Sequence, residues 1–388
     1  MVLQTHYKNL PKLLIGMGTL SELRREMIFY KSQYVLIIAE PVFERTDVLQ
    51  AIKSYITPYV NNVRIHYVTE VKQNLQEREV FTTTLQFNKY DTIIGLGNSD
   101  LLNYAKIMAQ ILSHRKDAKP TINVTSCKAT LSLILIPTTP TSGIEAAKKT
   151  YTYHQHVKVI QTHKQMCPAT IIYDPLIPIK SSPYEMISSS IVTLSEAIEA
   201  KYFAHNNTRF PTAAIKLIMN YIIRATYNKD DEEAHEALLK AGMVLGLAHV
   251  RRNKCSLIDC MTIPIICQVD VPYPVALSVM LPYVIEMYRD VNEKRANKIA
   301  DAFDYQSSNI DSLHSYIARR LTNMIKTLGF PLHLRSLGVK KEDLTTLAFN
   351  SYTLWAKNNR DEPKWDELTF EKIYNKAYAG KTESPFNN

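Results

Sequence analysis

Over the first 180 or so residues, short runs apolar at nearly every position alternate with stretches whose apolar residues recur every three or four. The runs YVLIIAE (34–40), VRIHYVTEV (63–71), DTIIGLG (91–97), LSLILIPT (131–138) and ATIIYD (169–174) predict strands. The stretches VFERTDVLQAIKSYI (42–56) and LLNYAKIMAQILS (101–113) predict helices between them. A strand apolar throughout is buried on both faces, so the order implies a parallel sheet covered by helices on either side. VKVIQT (157–162) predicts a further strand, in a hairpin. Beyond residue 180 the period becomes helical and stays so, with Pro211 and Asp230–Asp231 where helices would begin. The expected organisation is an α/β domain over 1–178 and an all-α domain over 179–388, with a ligand cleft between two such domains.

Composition narrows the class without changing the fold. In 388 residues, 46% are hydrophobic and 21% charged, as in an ordinary globular chain with real cores. The opening MVLQTHYKNLPK lacks the basic-then-apolar pattern of a secretory signal, and LSLILIP (131–137) is too short to span a bilayer. A cytoplasmic protein without a membrane segment is expected. The five cysteines are unevenly spaced, which favours free thiols over a disulfide framework. The net charge of +9 is spread along the chain without interleaved aromatics, so no nucleic-acid partner is expected. Glycine is scarce, ten in all, and glycine is what lets a backbone approach a phosphate closely.

Taken in order, several stretches resemble the iron-containing (group III) alcohol dehydrogenases of the dehydroquinate synthase-like superfamily. LPKLLIGMGTLSELRREM (10–27) resembles the opening strand–turn–helix, VLIIAE (35–40) the second strand, and DTIIGLGNSDLLNYAK (91–106) the segment carrying a Gly-Gly-Gly-Ser pyrophosphate turn. IPTTPTSGIEAAKKT (136–150) resembles the nicotinamide-side loop; CPATIIYDP (167–175), SSSIVTLSEAIEA (188–200) and VALSVMLPYV (275–284) continue the order. The resemblance implies a Rossmann-like N-terminal domain for NAD and a helical C-terminal domain for a divalent metal.

On the cofactor side it implies that Glu40 holds the adenosine ribose, an acid there favouring NAD over NADP by repelling a 2′-phosphate. Gly97, Asn98, Ser99 and Asp100 fall on the pyrophosphate turn, and Thr138, Thr139 and Ser142 on the nicotinamide side, with Gly143 and Glu145 matching as well. Asp100 stands out: a carboxylate at the start of a helix would cap it and take the N–H groups a pyrophosphate needs. NAD binding is therefore expected to be weakened. Lys106 matches a lysine further along the same helix.

On the metal side the resemblance implies an Asp and a His four residues apart on one helix, and two later histidines fourteen apart. Val192 and Glu196 occupy the first two positions. Counting back from VMLPYV places Tyr273 and Asp259 on the others; counting forward from KAGM places Lys254 instead of Asp259. With no imidazole at any of them, neither iron nor zinc is expected. Tyr273, or His249 in LGLAHVRR, would then have to serve as proton donor.

Two functions follow from the resemblance. One is an NAD-linked alcohol or aldehyde oxidoreductase that does not use the usual iron site, acting on a small molecule. The other is a catalytically inactive pseudoenzyme retained as a binding or assembly partner. A homo-oligomer is compatible with either.

Overall fold

The computed structural model describes residues 3–5, 11–68, 89–113, 131–154, 157–162, 166–178, 182–203, 209–247, 255–288, 299–306, 312–359 and 365–380. The chain divides into two compact units, residues 1–189 with 228–247, and residues 190–227 with 248–388.

The first unit is built on a seven-stranded sheet in the order β1-β2-β9-β6-β5-β3-β4. Its strands are β1 (Leu3–Thr5), β2 (Lys12–Ile15), β3 (Tyr34–Ala39), β4 (Asn62–Tyr67), β5 (Thr92–Gly97), β6 (Ser132–Pro137) and β9 (Thr170–Tyr173). All pair in parallel except β1, which lies antiparallel to β2 at the edge. The expected Rossmann-like sheet is thus present, and the near-continuous apolar runs have their physical reason. Val35, Ile37 and Ala39 point to one face, where they meet helices α1 (Leu23–Tyr30) and α2 (Asp47–Ile56); Leu36 and Ile38 point to the other, against α3 (Ser99–Ser113). The predicted helix over 42–56 is broken at Thr46, whose backbone is extended, into a 3-10 turn at Pro41–Arg45 and α2.

The turn after β2 runs through Gly16 and Gly18, both at positive φ. Asp174, just past β9, closes it by accepting from the amides of Gly18 (3.1 Å) and Leu20 (3.0 Å). Strands β7 (Lys149–His154) and β8 (Val157–Thr162) form a separate antiparallel ribbon, the expected hairpin. Helix α6 (Glu232–Leu247) also belongs to this unit: Leu239 packs with Leu13, Ala146, Ile171 and Tyr173 of the sheet and its loops.

The second unit is helical. It contains most of α4 (Pro183–Phe203), then α5 (Arg209–Tyr227), α7 (Leu257–Gln268), α8 (Tyr273–Tyr288), α9 (Leu313–Thr327), α10 (Leu344–Asn358) and α11 (Glu367–Ala379). Helix α8 packs on α7, α9 and α11, and α10 on α7 and α11. Tyr374 of α11 ties three of these together, donating to the Met261 carbonyl of α7 (2.6 Å) and sharing a hydrogen bond with Ser351 of α10 (2.7 Å). No helix among the described residues is long and apolar enough to cross a membrane. Cys167, Cys255, Cys260 and Cys267 are free thiols; Cys127 lies outside the described residues.

Candidate functional site

Strand register brings the expected cofactor residues to one edge of the sheet. Ala39 of β3 pairs with Leu96 of β5, and Gly97 of β5 with Pro137 of β6. Glu40, Asn98 and Thr138 therefore follow three neighbouring parallel strands at their carboxyl ends. From β3 the chain goes outward to β4, then returns to the other side of β3 to form β5. The switch in direction falls between Glu40 and Asn98, which is where open parallel sheets hold ligands.

What fills that position is a side chain. Asn98, and not Asp100, caps helix α3: its Oδ1 accepts from the amides of Asp100 (3.1 Å) and Leu101 (3.2 Å). Its Nδ2 donates to Glu40 Oε1 at 2.5 Å. Asp100 instead accepts from the hydroxyl of Tyr151 on β7. The expectation of an Asp100 cap is corrected by that alternative partner, since the exposed carboxylate turns toward the hairpin. Asn103, one turn on, fixes the hairpin in register by donating to the Tyr151 carbonyl (2.8 Å) and accepting from its amide (3.0 Å).

Burial pushes the Glu40 carboxyl up to about 8, reinforced by the charge of Glu185 and then of Asp100 and opposed by a bond from the Asn98 main chain. The burial favours the protonated form of this carboxyl at neutral pH. Gly97 has no positive φ; a Cβ there would meet Leu101 at 2.9 Å, so it is kept by packing of the helix on its own strand. Asn98 has no left-handed backbone either. Ser99 is the first residue of α3.

The loop after β6 is tied to the same edge by the Thr138 amide, which donates to the Gly97 carbonyl at 3.1 Å. Thr138, Thr139 and Thr141 are buried and Ser142 half-buried, and the Thr139 hydroxyl has no partner among the described residues. Beyond it the loop is held from both sides. Gly143, at φ 83°, lies against Gly246 of α6. Lys106 of α3, fully buried, donates its ammonium protons to the carbonyls of Ile144 (2.8 Å), Ala147 (2.5 Å) and Lys149 (2.7 Å). Burial lowers its pKa to about 7, against the opposing pull of Cys167 and Glu145. Burial likewise raises Glu145 to about 7 while Tyr173 donates to it at 2.6 Å. Lys106 and Glu145 are thus parts of the scaffold under the loop.

In the second unit, Val192 and Glu196 stand half-buried on one face of α4, one turn apart. Asp259 lies in the first turn of α7 and Tyr273 begins α8. These last two meet: the Tyr273 hydroxyl donates to Asp259 Oδ1 at 2.5 Å. Lys254 and His249 lie outside the described residues. Unforeseen from sequence is Glu199, one turn beyond Glu196 and buried. It accepts from the Ile258 amide (3.1 Å) and the Tyr288 hydroxyl (2.5 Å), fastening α4 to the start of α7 and to α8. Its only signal in the sequence was an acid inside the apolar stretch SEAIEA.

Two family models match the chain: "Iron-containing alcohol dehydrogenase" over residues 11–175 and "Fe-containing alcohol dehydrogenase family, C-terminal" over residues 186–378. Long-chain-alcohol dehydrogenase 1 of Geobacillus thermodenitrificans is 24% identical over 381 residues, 96% of each chain. NAD-dependent methanol dehydrogenase of Bacillus methanolicus is 22% identical, covering 88% of this chain and 92% of its own. Among solved structures, alcohol dehydrogenase from Oenococcus oeni superposes with a TM-score of 0.80 at 18% identity, over 96% of this chain and all of its own.

These matches overturn the expectation that neither iron nor zinc is involved and that NAD has only a weakened place. Both family models are iron-containing alcohol dehydrogenases, and the relatives include proteins named as NAD-dependent. The positions counted along the sequence hold Val192, Glu196, Asp259 and Tyr273 among the described residues. Val192 has no donor atom, Asp259 is engaged by Tyr273, and no group of three or more His, Cys, Asp or Glu among the described residues is placed to hold a metal.

Proposed function

The chain belongs to the iron-containing alcohol dehydrogenase family, and from that premise we propose that it is an NAD(H)-linked oxidoreductase acting on a small alcohol or aldehyde. The observation that carries this reading is the convergence of Glu40, Asn98 and Thr138 at the switch point of the parallel sheet. Glu40 serves the adenosine ribose, the first-turn amides of α3 serve the pyrophosphate, and the buried hydroxyls of Thr138 and Thr139, with Ser142, serve the nicotinamide end. The unpartnered Thr139 hydroxyl supports a polar group of the ligand at that place, because a buried hydroxyl left alone costs about 1–3 kcal/mol. A bound nicotinamide supplies the hydride chemistry. Tyr273, held by Asp259, is the candidate proton donor to a substrate oxygen.

A second reading, a non-catalytic binding or assembly partner, is favoured by one observation: the α3 amides and Glu40 are already satisfied by Asn98. Calorimetric titration with NADH, NAD and NADP up to millimolar concentration, with a parallel assay of aldehyde reduction, separates the two. Binding of NADH with turnover is the expected result. No heat with any of the three ligands would leave the second reading.

A further inference from the structure

One side chain engages both groups that the dinucleotide reading assigns to the adenosine half of the ligand. Asn98 Oδ1 takes the amides of Asp100 and Leu101, and Asn98 Nδ2 takes Glu40. No other contact described at this edge does both. Asp100 is held by Tyr151, and Tyr151 is in turn fixed in register by Asn103. The neighbouring carboxylate cannot take over the cap without leaving the hairpin.

We propose that Asn98 is a latch that sets the affinity of this protein for dinucleotides: the ligand enters only as the Asn98 side chain swings away and releases the α3 amides and Glu40 together. This inference rests on the dinucleotide reading above and adds to it the residue that controls occupancy. Rotation about the Cα–Cβ bond breaks all three side-chain contacts at once, freeing the two α3 amides and leaving Glu40 the bond from the Asn98 main chain. A ligand that selects the open state binds with an apparent affinity reduced by the fraction of molecules open. The charges of Glu185 and Asp100 already act on Glu40, the acid that the Asn98 side chain bonds, so a negative charge at position 98 would be disfavoured and would oppose a pyrophosphate as well.

The test compares NADH and ADP-ribose binding to the whole protein and to two variants. ADP-ribose carries the pyrophosphate and adenosine ribose without the nicotinamide. Asn98→Ala removes all three contacts, and both ligands are expected to bind about tenfold more tightly, with a lowered melting temperature from the lost cap. Asn98→Asp keeps a capping oxygen and the folded helix but loses the donor to Glu40 and adds charge. It is expected to bind both ligands more weakly than the unaltered protein. If the unaltered protein binds NADH and Asn98→Ala binds it no tighter, or Asn98→Asp binds it equally well, the latch is refuted and the dinucleotide reading survives. If neither the unaltered protein nor Asn98→Ala binds either ligand, the dinucleotide reading fails and the latch falls with it.

Discussion

A Cβ on Gly143 would stand 2.3 Å from the α-carbon of Gly246, so the loop after β6 and helix α6 touch backbone to backbone. One turn earlier, Gly242 receives Thr141 in the same way, with the place of its missing Cβ 2.3 Å from the Thr141 carbonyl oxygen and 2.6 Å from the amide nitrogen. Three of the chain's ten glycines are used in this seam. Alanine at 242 would improve helix propensity by about 1 kcal/mol. The overlap with main chain outweighs it, because neither partner is the flexible end of a side chain. Gly242→Ala is expected to destabilise the protein by about 2–3 kcal/mol, read as a lowered denaturation midpoint with an unchanged m-value.

Glu40 makes stability depend on pH. Its folded pKa of about 8 lies above its ordinary value of 4.5, so between these values the folded state holds a proton that the unfolded state has released. Stability from this group is full at acid pH and is lost as pH rises toward 8, by at most about 5 kcal/mol. Glu40→Gln keeps the shape and carries no titration. Chemical denaturation from pH 5 to pH 9 should show the unaltered protein losing stability relative to Glu40→Gln. Parallel curves would show that Glu40 ionises normally.

Lys106 satisfies three buried carbonyls with one ammonium group. Lys106→Met fills the same space and leaves all three without a donor, an expected loss of about 3 kcal/mol or more. Arginine is not expected to rescue it, since a planar guanidinium cannot reproduce three donors radiating from one nitrogen. Thermal melting of both variants measures this.

Glu199 depends on two donors in the second unit. Tyr288→Phe removes one of these donors from a buried carboxylate. A loss of about 1–3 kcal/mol is expected. Limited proteolysis should then cut within residues 190–227 or 248–388 before it cuts the sheet unit.

The sheet was legible because strands buried on both faces advertise themselves: Val35 to Ala39 are apolar whichever way they point. Less legible was the partner of each helix. The apolar stripe of α6 reads the same whether it packs on helices or on a sheet, and only the loop pressed into Gly242 and Gly246 shows which. At the C-terminal edge of the sheet the contacts differ from those a sequence predicts. Asn98 and Asp100 are both good caps, and the choice turns on where Tyr151 lies, a contact across about fifty residues. In the helical unit, counting along the sequence gives both Asp259 and Lys254 for one position, and the contact between Tyr273 and Asp259 spans two helices, which no local pattern reveals. Glu199 was passed over because an acid in a helix is ordinarily solvated, and its burial depends on Tyr288 from another element.

The grip of Lys106 has a mechanical consequence. A single nitrogen spanning main chain at 144, 147 and 149 leaves no slack between helix α3, the threonine loop and the root of the hairpin. The amides of these segments should therefore exchange with deuterium in concert.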